Sequence, residues 1–391
     1  MASPGTEFAF TPEQRELRTA VRKFCAENID EAAVRRLMES EKRFDPTVWR
    51  RLGSELGVLG MSVPESDGGV GGCLVDQAVA VEEFGAALAC GPLFGTVYLA
   101  IPALVASRAG PARDELLAAL VEGDRTAAFA VGDTAGAFNP GVTVTAVGSS
   151  EDVTLTGAVE QVVDGDAADV ILLAAKGSDG LGLYAVDAAA PGVYRTALVT
   201  LDLTRPQATV TLDGARARLL AGPQEAERVI THALQVGSAL LAVEQVGAAQ
   251  HLLDLSVEYA KSRLQFGRHI GSFQAIKHKL ADMLVDLEHA RSTAYHAVWA
   301  LTDGSDDPAL AVSIAQATCS AAFSRIAADT IQVHGGIGFT WEHQAQLYFK
   351  RAATDAALLG SAEQHRSRVA DLVLDTTVAH SGAVPVATGR P

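Results

Sequence analysis

Cysteine is scarce: Cys25, Cys73, Cys90 and Cys319 are the only four in 391 residues, far apart and without a C-x-x-C pair or Cys/His ligand spacing. A zinc site or a disulfide framework therefore has no support, and the four read as small apolar packing residues. Positive charge is also short, with 31 Lys and Arg against 47 Asp and Glu and a formal net charge of -16. Such a surface repels phosphates, so neither nucleic acid nor an anionic membrane is expected as a partner. No uninterrupted apolar run approaches the roughly 18 residues of a membrane span, and MASPGTEFAF has no basic region leading into an apolar one. A soluble, cytoplasmic protein is expected. What is present is ordinary, with 48% apolar and 20% charged residues. That composition excludes disorder and collagen-like repeats, and the length suits two or three domains.

The hydrophobic period divides the chain into three parts. Helical text runs from Thr11 to about Gly123, interrupted by the turn-rich PESDGGVGG at 64–72. Short β-branched runs then recur at roughly ten-residue spacing from Ala127 to about Leu220 (VTVTAV, VTLTG, VILLAA, LGLYAV, ATVTL), predicting a small antiparallel β domain. After AGP at 221–223, Val236, Leu240, Val243, Val246, Leu253 and Val257 share one face of a long helix reaching about Gln265. A second helix carries Phe273, Ile276, Leu280, Met283 and Leu287, and a third runs from about Leu310 to His334. Long helices with short links predict a bundle. The fold class is α+β, mainly α: a helical domain over 1–125, a β domain over 126–222, a four-helix-type bundle over 223–380 and a flexible tail over 381–391. No internal repeat is evident.

Two junctions carry unusual chemistry. In YAKSRLQFGRHIGSFQAIKHKLADM one helix ends near Phe266-Gly267 and another begins near Ser272, with Arg263, Arg268 and Lys277 beside the break. A helix N-terminus with guanidinium groups suits an anionic phosphate, although a hairpin with a solvated basic rim has the same composition. In IQVHGGIGFTWEHQAQLYFKRA, Gly335 and Gly336 follow a helix beside Gln332, His334 and Trp341. Paired glycines allow close approach to a bound group, and equally they end helices. Neither segment is G-x-G-x-x-G after a strand, so a Rossmann fold is not indicated. No Ser/His/Asp order or metal-ligand cluster is present.

With FTPEQRELRTAVRKF and LGVLGMSVPESDGGVGG, these segments give the chain a resemblance, over nearly its whole length, to the acyl-CoA dehydrogenase family of flavoproteins. The resemblance implies a helical, β, helical domain order and a role in lipid metabolism. It also implies FAD as cofactor, an acyl thioester of CoA or a carrier protein as substrate, and electron-transfer flavoprotein or a similar acceptor. It further implies that Arg263, Phe266 and Gln274 contact the pyrophosphate and adenine portion of FAD, while Gln332, Gly335 and Gly336 approach the same cofactor across a subunit interface. A tetramer follows, as a homotetramer or as α2β2 with a second dehydrogenase-like chain.

The family's reaction needs a carboxylate to take the α-proton of the thioester while the β-hydrogen leaves as hydride. The commonest position, twenty-seven residues after the Gln of QxxGG, is Leu359 here, followed by Gly360. Leucine accepts no proton, although its backbone amide is implied to polarise the thioester carbonyl. The alternative position, twenty-nine residues before the Phe of RxxFG, is Gly237. Glu244 lies seven residues further along that helix, about 10 Å by rise, and is the weak candidate for a substitute base; its bland role is to pair with a basic residue. Asp355 and Glu363 flank the empty position, and His334 and His343 are candidates for packing or cofactor contact. In the β domain VGDTAGAFNPG replaces the family's flavin-contacting Thr-Glu and Gly-Ser, with Asp133 and Thr134 as partial substitutes, and no Trp-x-Thr covers the flavin ring. Intact cofactor motifs with an empty base position resemble the base-lacking subunit of heteromeric bacterial dehydrogenases of sterol side chains. Two further readings stay open: a flavin enzyme of different chemistry, such as an oxygenase or oxidase, and a non-catalytic subunit that completes a cofactor site.

Overall fold

Thr11 begins the first helix by accepting from the backbone of Gln14, whose side chain reaches back to the Thr11 amide. This capping box satisfies two otherwise orphaned donors, and Pro12 fits the first turn because its missing N–H has no partner there in any case. The computed structural model describes residues 9–131, 142–149, 152–304 and 306–375. Asp133, Thr134 and the expected 381–391 tail lie outside them. The first part contains α1 (Pro12–Asn28), α2 (Glu31–Leu37), α3 (Pro46–Ser54), α4 (Leu74–Ala86), α5 (Ile101–Ala106) and α6 (Pro111–Val121). Leu93–Ala100, just before α5, is wound as a π-helix. Pro102 offers no N–H to the carbonyl four residues back, and a local change of winding rehouses the freed groups.

Strands β1 (Ala127–Ala130), β2 (Val144–Ser149), β3 (Asp152–Val163), β4 (Val170–Gly177), β5 (Gly180–Asp187), β6 (Val193–Ala197) and β7 (Gln207–Ala221) follow. Their pairing closes on itself, because β4 meets β5 on one edge and β1 and β2 on the other while β3 and β7 join the remaining strands. The expected antiparallel domain thus contains two parallel pairings, β1 with β4 and β2 with β4. Alternation along each strand reports burial, and it carries no information on strand direction.

The last part comprises α7 (Ala226–Ser262), α8 (Gln274–Asp303), α9 (Pro308–His334), α10 (Ala345–Asp355) and α11 (Ala362–Ala370). Helices α7 and α9 are long and apolar enough to cross a membrane by length and composition, yet the most apolar window of α7 is 83% buried and that of α9 61%. They form the centre of the core. Helix α4 crosses α7 at two glycines: a Cβ on Gly85 would lie 2.1 Å from the Glu244 carbonyl oxygen, and one on Gly247 1.8 Å from that of Glu82. Only glycine permits this backbone approach. Beside the crossing, buried Glu82 accepts from Arg18 at 2.9 Å and Tyr295 at 2.6 Å and pairs with Arg291, tying α1, α4 and α8 together.

Candidate functional site

The first motif closes as a small hairpin after α7. Leu264–Gln265 pairs with Arg268–His269, and the turn residues Phe266 and Gly267 have φ of 52° and 77°. Two consecutive positive φ values match the twist of a tight hairpin, but the first falls on a phenylalanine, which bears a steric cost glycine would not. The ring is nevertheless 90% exposed, touching Phe273 edge-on at 6.0 Å. Arg263 and Gln274, on either side of the hairpin, are exposed as well. The ring thus stands outside this chain's own core, beside the exposed Arg263 and Gln274.

The second motif ends α9. Gly335 takes φ +63°, and a Cβ built on Gly335 or Gly336 meets nothing within 4 Å. The backbone there is open to an approaching group. Phe339 and Trp341, in the turns that follow, are 74% and 58% exposed. His334 is buried between Tyr259 and His343, with ring centroids 4.4 Å apart on each side. Burial lowers both histidine pKa values, so the stack is uncharged near neutrality and joins the ends of α7 and α9. Both motifs therefore lie at one end of the bundle.

Leu359 lies elsewhere, in a cleft of about 420 Å³ between the barrel, the π-helix and the end of α10. Phe94, Leu99, Phe129, Val163, Ala357 and Leu359 give it apolar walls. Leu359 holds φ +55°, and its carbonyl accepts from buried His365 Nε2 at 2.8 Å, which fixes the turn. Facing it, the β3–β7 register slips between Val159 and Val162, and Gln161 in that bulge has φ +56°. Bulges and positive φ on a non-glycine residue concentrate where a side chain is being aimed. Glu160, exposed beside Gln161, is the one carboxylate among the described lining residues.

Glu244 does not face this cleft. It is 3% exposed, with Oε1 on Arg205 and Arg351 and Oε2 accepting from Tyr98 Oη at 2.8 Å. Burial opposes its charge, but the two guanidiniums and the hydroxyl outweigh that and bring its carboxyl down to about 2. Of the two roles the sequence offered, the geometry is that of the ion pair; a carboxylate so fully engaged is a poor proton acceptor. Arg351 also donates to Asp202 at 2.8 Å and to Thr204 Oγ1 at 2.6 Å, and Arg205 to Asp355 at 2.7 Å.

Sequence reasoning missed Asp202, Arg205 and Arg351. A signal existed, since LDLTR places an acid and a base inside a β-branched stretch and KRAATD spaces Arg351 and Asp355 one helical turn apart. The closed barrel and the π-helix left none.

Similarity to known proteins agrees with this architecture. The family model for the acyl-CoA dehydrogenase N-terminal domain matches residues 11–124, and that for the C-terminal domain matches residues 227–374. Acyl-CoA dehydrogenase IpdE2 of Mycolicibacterium smegmatis is 37% identical over 91% of this chain and 98% of its own. IpdE2 of Mycobacterium tuberculosis is 35% identical over 90% and 94%. Among solved structures, a chain of a Tcur3481–Tcur3483 steroid ACAD variant is 31% identical with TM-score 0.84, covering 94% of this chain and 99% of that one. A chain of the ChsE4–ChsE5 complex from Mycobacterium tuberculosis is 30% identical with TM-score 0.82, covering 96% and 100%.

Proposed function

The chain belongs to the acyl-CoA dehydrogenase family, and from that premise we propose that it serves FAD-dependent α,β-dehydrogenation of an acyl thioester as the subunit without the base. A second dehydrogenase-like chain completes it in an α2β2 assembly in the cytoplasm. The observation that carries this reading is Leu359: an alkyl side chain lines the cleft at the family's usual base position, and Glu244 is bound to two arginines. Relatives named for two chains, the Tcur3481–Tcur3483 steroid ACAD and the ChsE4–ChsE5 complex, support it.

The residues present fit FAD. Open space over Gly335 and Gly336 lets a phosphate come close to the backbone at the end of α9, Arg263 is exposed for a charge-assisted contact, and the Phe266 ring is available to pack on an aromatic base. Gln274 and Gln332 add amide donors and acceptors. When bound there, FAD would supply the acceptor for the hydride that leaves the substrate's β-carbon, with electron-transfer flavoprotein or a similar protein as the onward electron acceptor. In this chain the Leu359 amide polarises the thioester carbonyl, which acidifies the α-proton, while the Leu359 side chain keeps water away without accepting that proton. The proton acceptor is a carboxylate of the partner chain.

Gly336→Val tests the cofactor half of this reading. A Cβ there has no atom of its own chain within 4 Å, so folding is expected to survive, while FAD retention on gel filtration falls sharply. Arg263→Ala should behave alike. Full flavin occupancy in both variants at dilute concentration would refute the assignment. A second reading, a self-sufficient homotetramer, is favoured by Glu160 in the cleft wall. Turnover by the chain alone, abolished by Glu160→Gln, would select it.

A further inference from the structure

The buried ion-pair cluster behind the cleft holds one carboxylate too many. Asp202, Glu244 and Asp355 face Arg205 and Arg351, and none of the five is more than 5% exposed. With every group charged, the cluster would keep an uncompensated negative charge where no solvent screens it. The shortage of donors falls on one residue. Glu244 has two guanidiniums and a hydroxyl, and Asp202 has Arg351 on Oδ2 and the Thr204 amide and hydroxyl on Oδ1. Asp355 has Arg205 on Oδ1, while its Oδ2 is buried without a hydrogen-bond partner. An anionic oxygen left bare in a dry site is far more costly than a neutral one.

The cluster is also where the walls of the cleft are fastened. Asp202 and Arg205 continue the segment whose Val199, Thr200 and Leu201 form one wall, and Tyr98, bonded to Glu244, belongs to the π-helix that contributes Phe94 and Leu99. Arg351 and Asp355 belong to α10, whose end contributes Ala353 and Thr354. We propose that Asp355 is a positioning residue of the cleft that works as a neutral acid: its proton balances the cluster, and the balanced cluster holds the three walls together. Loss of the proton sets Asp355 against Asp202 and Glu244 and draws Arg205 away from Glu244, loosening the wall at 198–206.

Burial supports the protonated form. It pushes the Asp355 carboxyl up to about 7 against the pull of Arg205, with Glu244 adding to the push. Of the other titratable neighbours, burial keeps the Cys90 thiol and the Tyr98 and Tyr348 hydroxyls neutral, and the half-buried Lys350, whose ammonium lies over the Trp341 ring at 4.2 Å, acts on Asp202 and not on Asp355. Asp164, in the β3–β4 turn, is likewise pushed to about 7 by burial, although it accepts from the Gly95 amide rather than from an arginine. The sign follows from linkage. A carboxyl raised above its unfolded value of about 3.9 stabilises the fold most fully below that value, and its contribution is lost as pH rises through about 7.

Amide hydrogen exchange on the full chain at pH 6 and pH 8, corrected for intrinsic rates, tests this without requiring flavin or turnover. Protection of 198–206 and 353–359 should fall about tenfold between the two pH values in the wild type, as linkage to one proton requires. Asp355→Asn, isosteric with the neutral acid, should hold the same protection at both, and Asp164→Asn should keep the wild-type fall. Equal wild-type protection at both pH values would overturn the proposal. So would an Asp355→Asn chain that still shows the fall, is less protected than wild type at pH 6 or does not fold, since each would mean that the charge of Asp355 is what holds the walls. Loss of the fall in Asp164→Asn alone would assign the proton to Asp164 instead.

Discussion

Arg351→Met is expected to destabilise the chain by about 3–5 kcal/mol, read as a lower midpoint in urea unfolding, because removing one member of a buried ion-pair cluster leaves the others uncompensated. Arg351 is 2% exposed and its three nitrogens serve Asp202, Glu244 and Thr204. Methionine replaces the stem and none of those donors. Arg351→Lys keeps the charge but loses the fork, so it should fall between the two. The same network has an acid signature: Glu244, held down at about 2, contributes stability that is present above its unfolded value and is lost as pH falls through about 2. A variant as stable as wild type would show that the cluster contributes nothing to the fold.

Leu359→Glu should raise turnover of the chain on acyl-CoA by roughly 10²–10⁴-fold where flavin is retained, since that is the usual contribution of a positioned general base. The left-handed backbone at this position, held by His365, is already in place, and the site is only 9% exposed, so a carboxylate there is partly desolvated. Burial of that kind raises a carboxyl pKa toward working pH, as a base requires. Steady-state assays with an artificial electron acceptor decide it. An increase in rate without a change in flavin content would place Leu359 beside the reacting carbon, and no increase would mean that the cleft does not hold the thioester.

The sequence resolved what depends on local pattern. Periodic apolar positions marked α7 and α9, and Met283 and Leu287 of α8 are buried as their spacing required. The capping box at Thr11 is equally local, since Thr11 and Gln14 lie three residues apart. What stayed hidden depends on distant contact. Glu244 meets Arg205 and Arg351 from separate elements, 39 and 107 residues away, so no window of sequence distinguishes a base from an ion pair. The empty base position was legible by counting from Gln332, but the cleft that gives Leu359 its meaning needs the barrel, the π-helix and α10 at once.

Turnover of an acyl-CoA by the purified chain, alone and after co-purification with a second dehydrogenase-like chain bearing a glutamate at either base position, tests the central claim most directly. A subunit without the base should show little turnover alone and full turnover, with stoichiometric flavin, in the two-chain assembly. Robust turnover by the chain alone, not raised by addition of the second chain, would contradict it, whether or not Glu160→Gln abolishes that turnover.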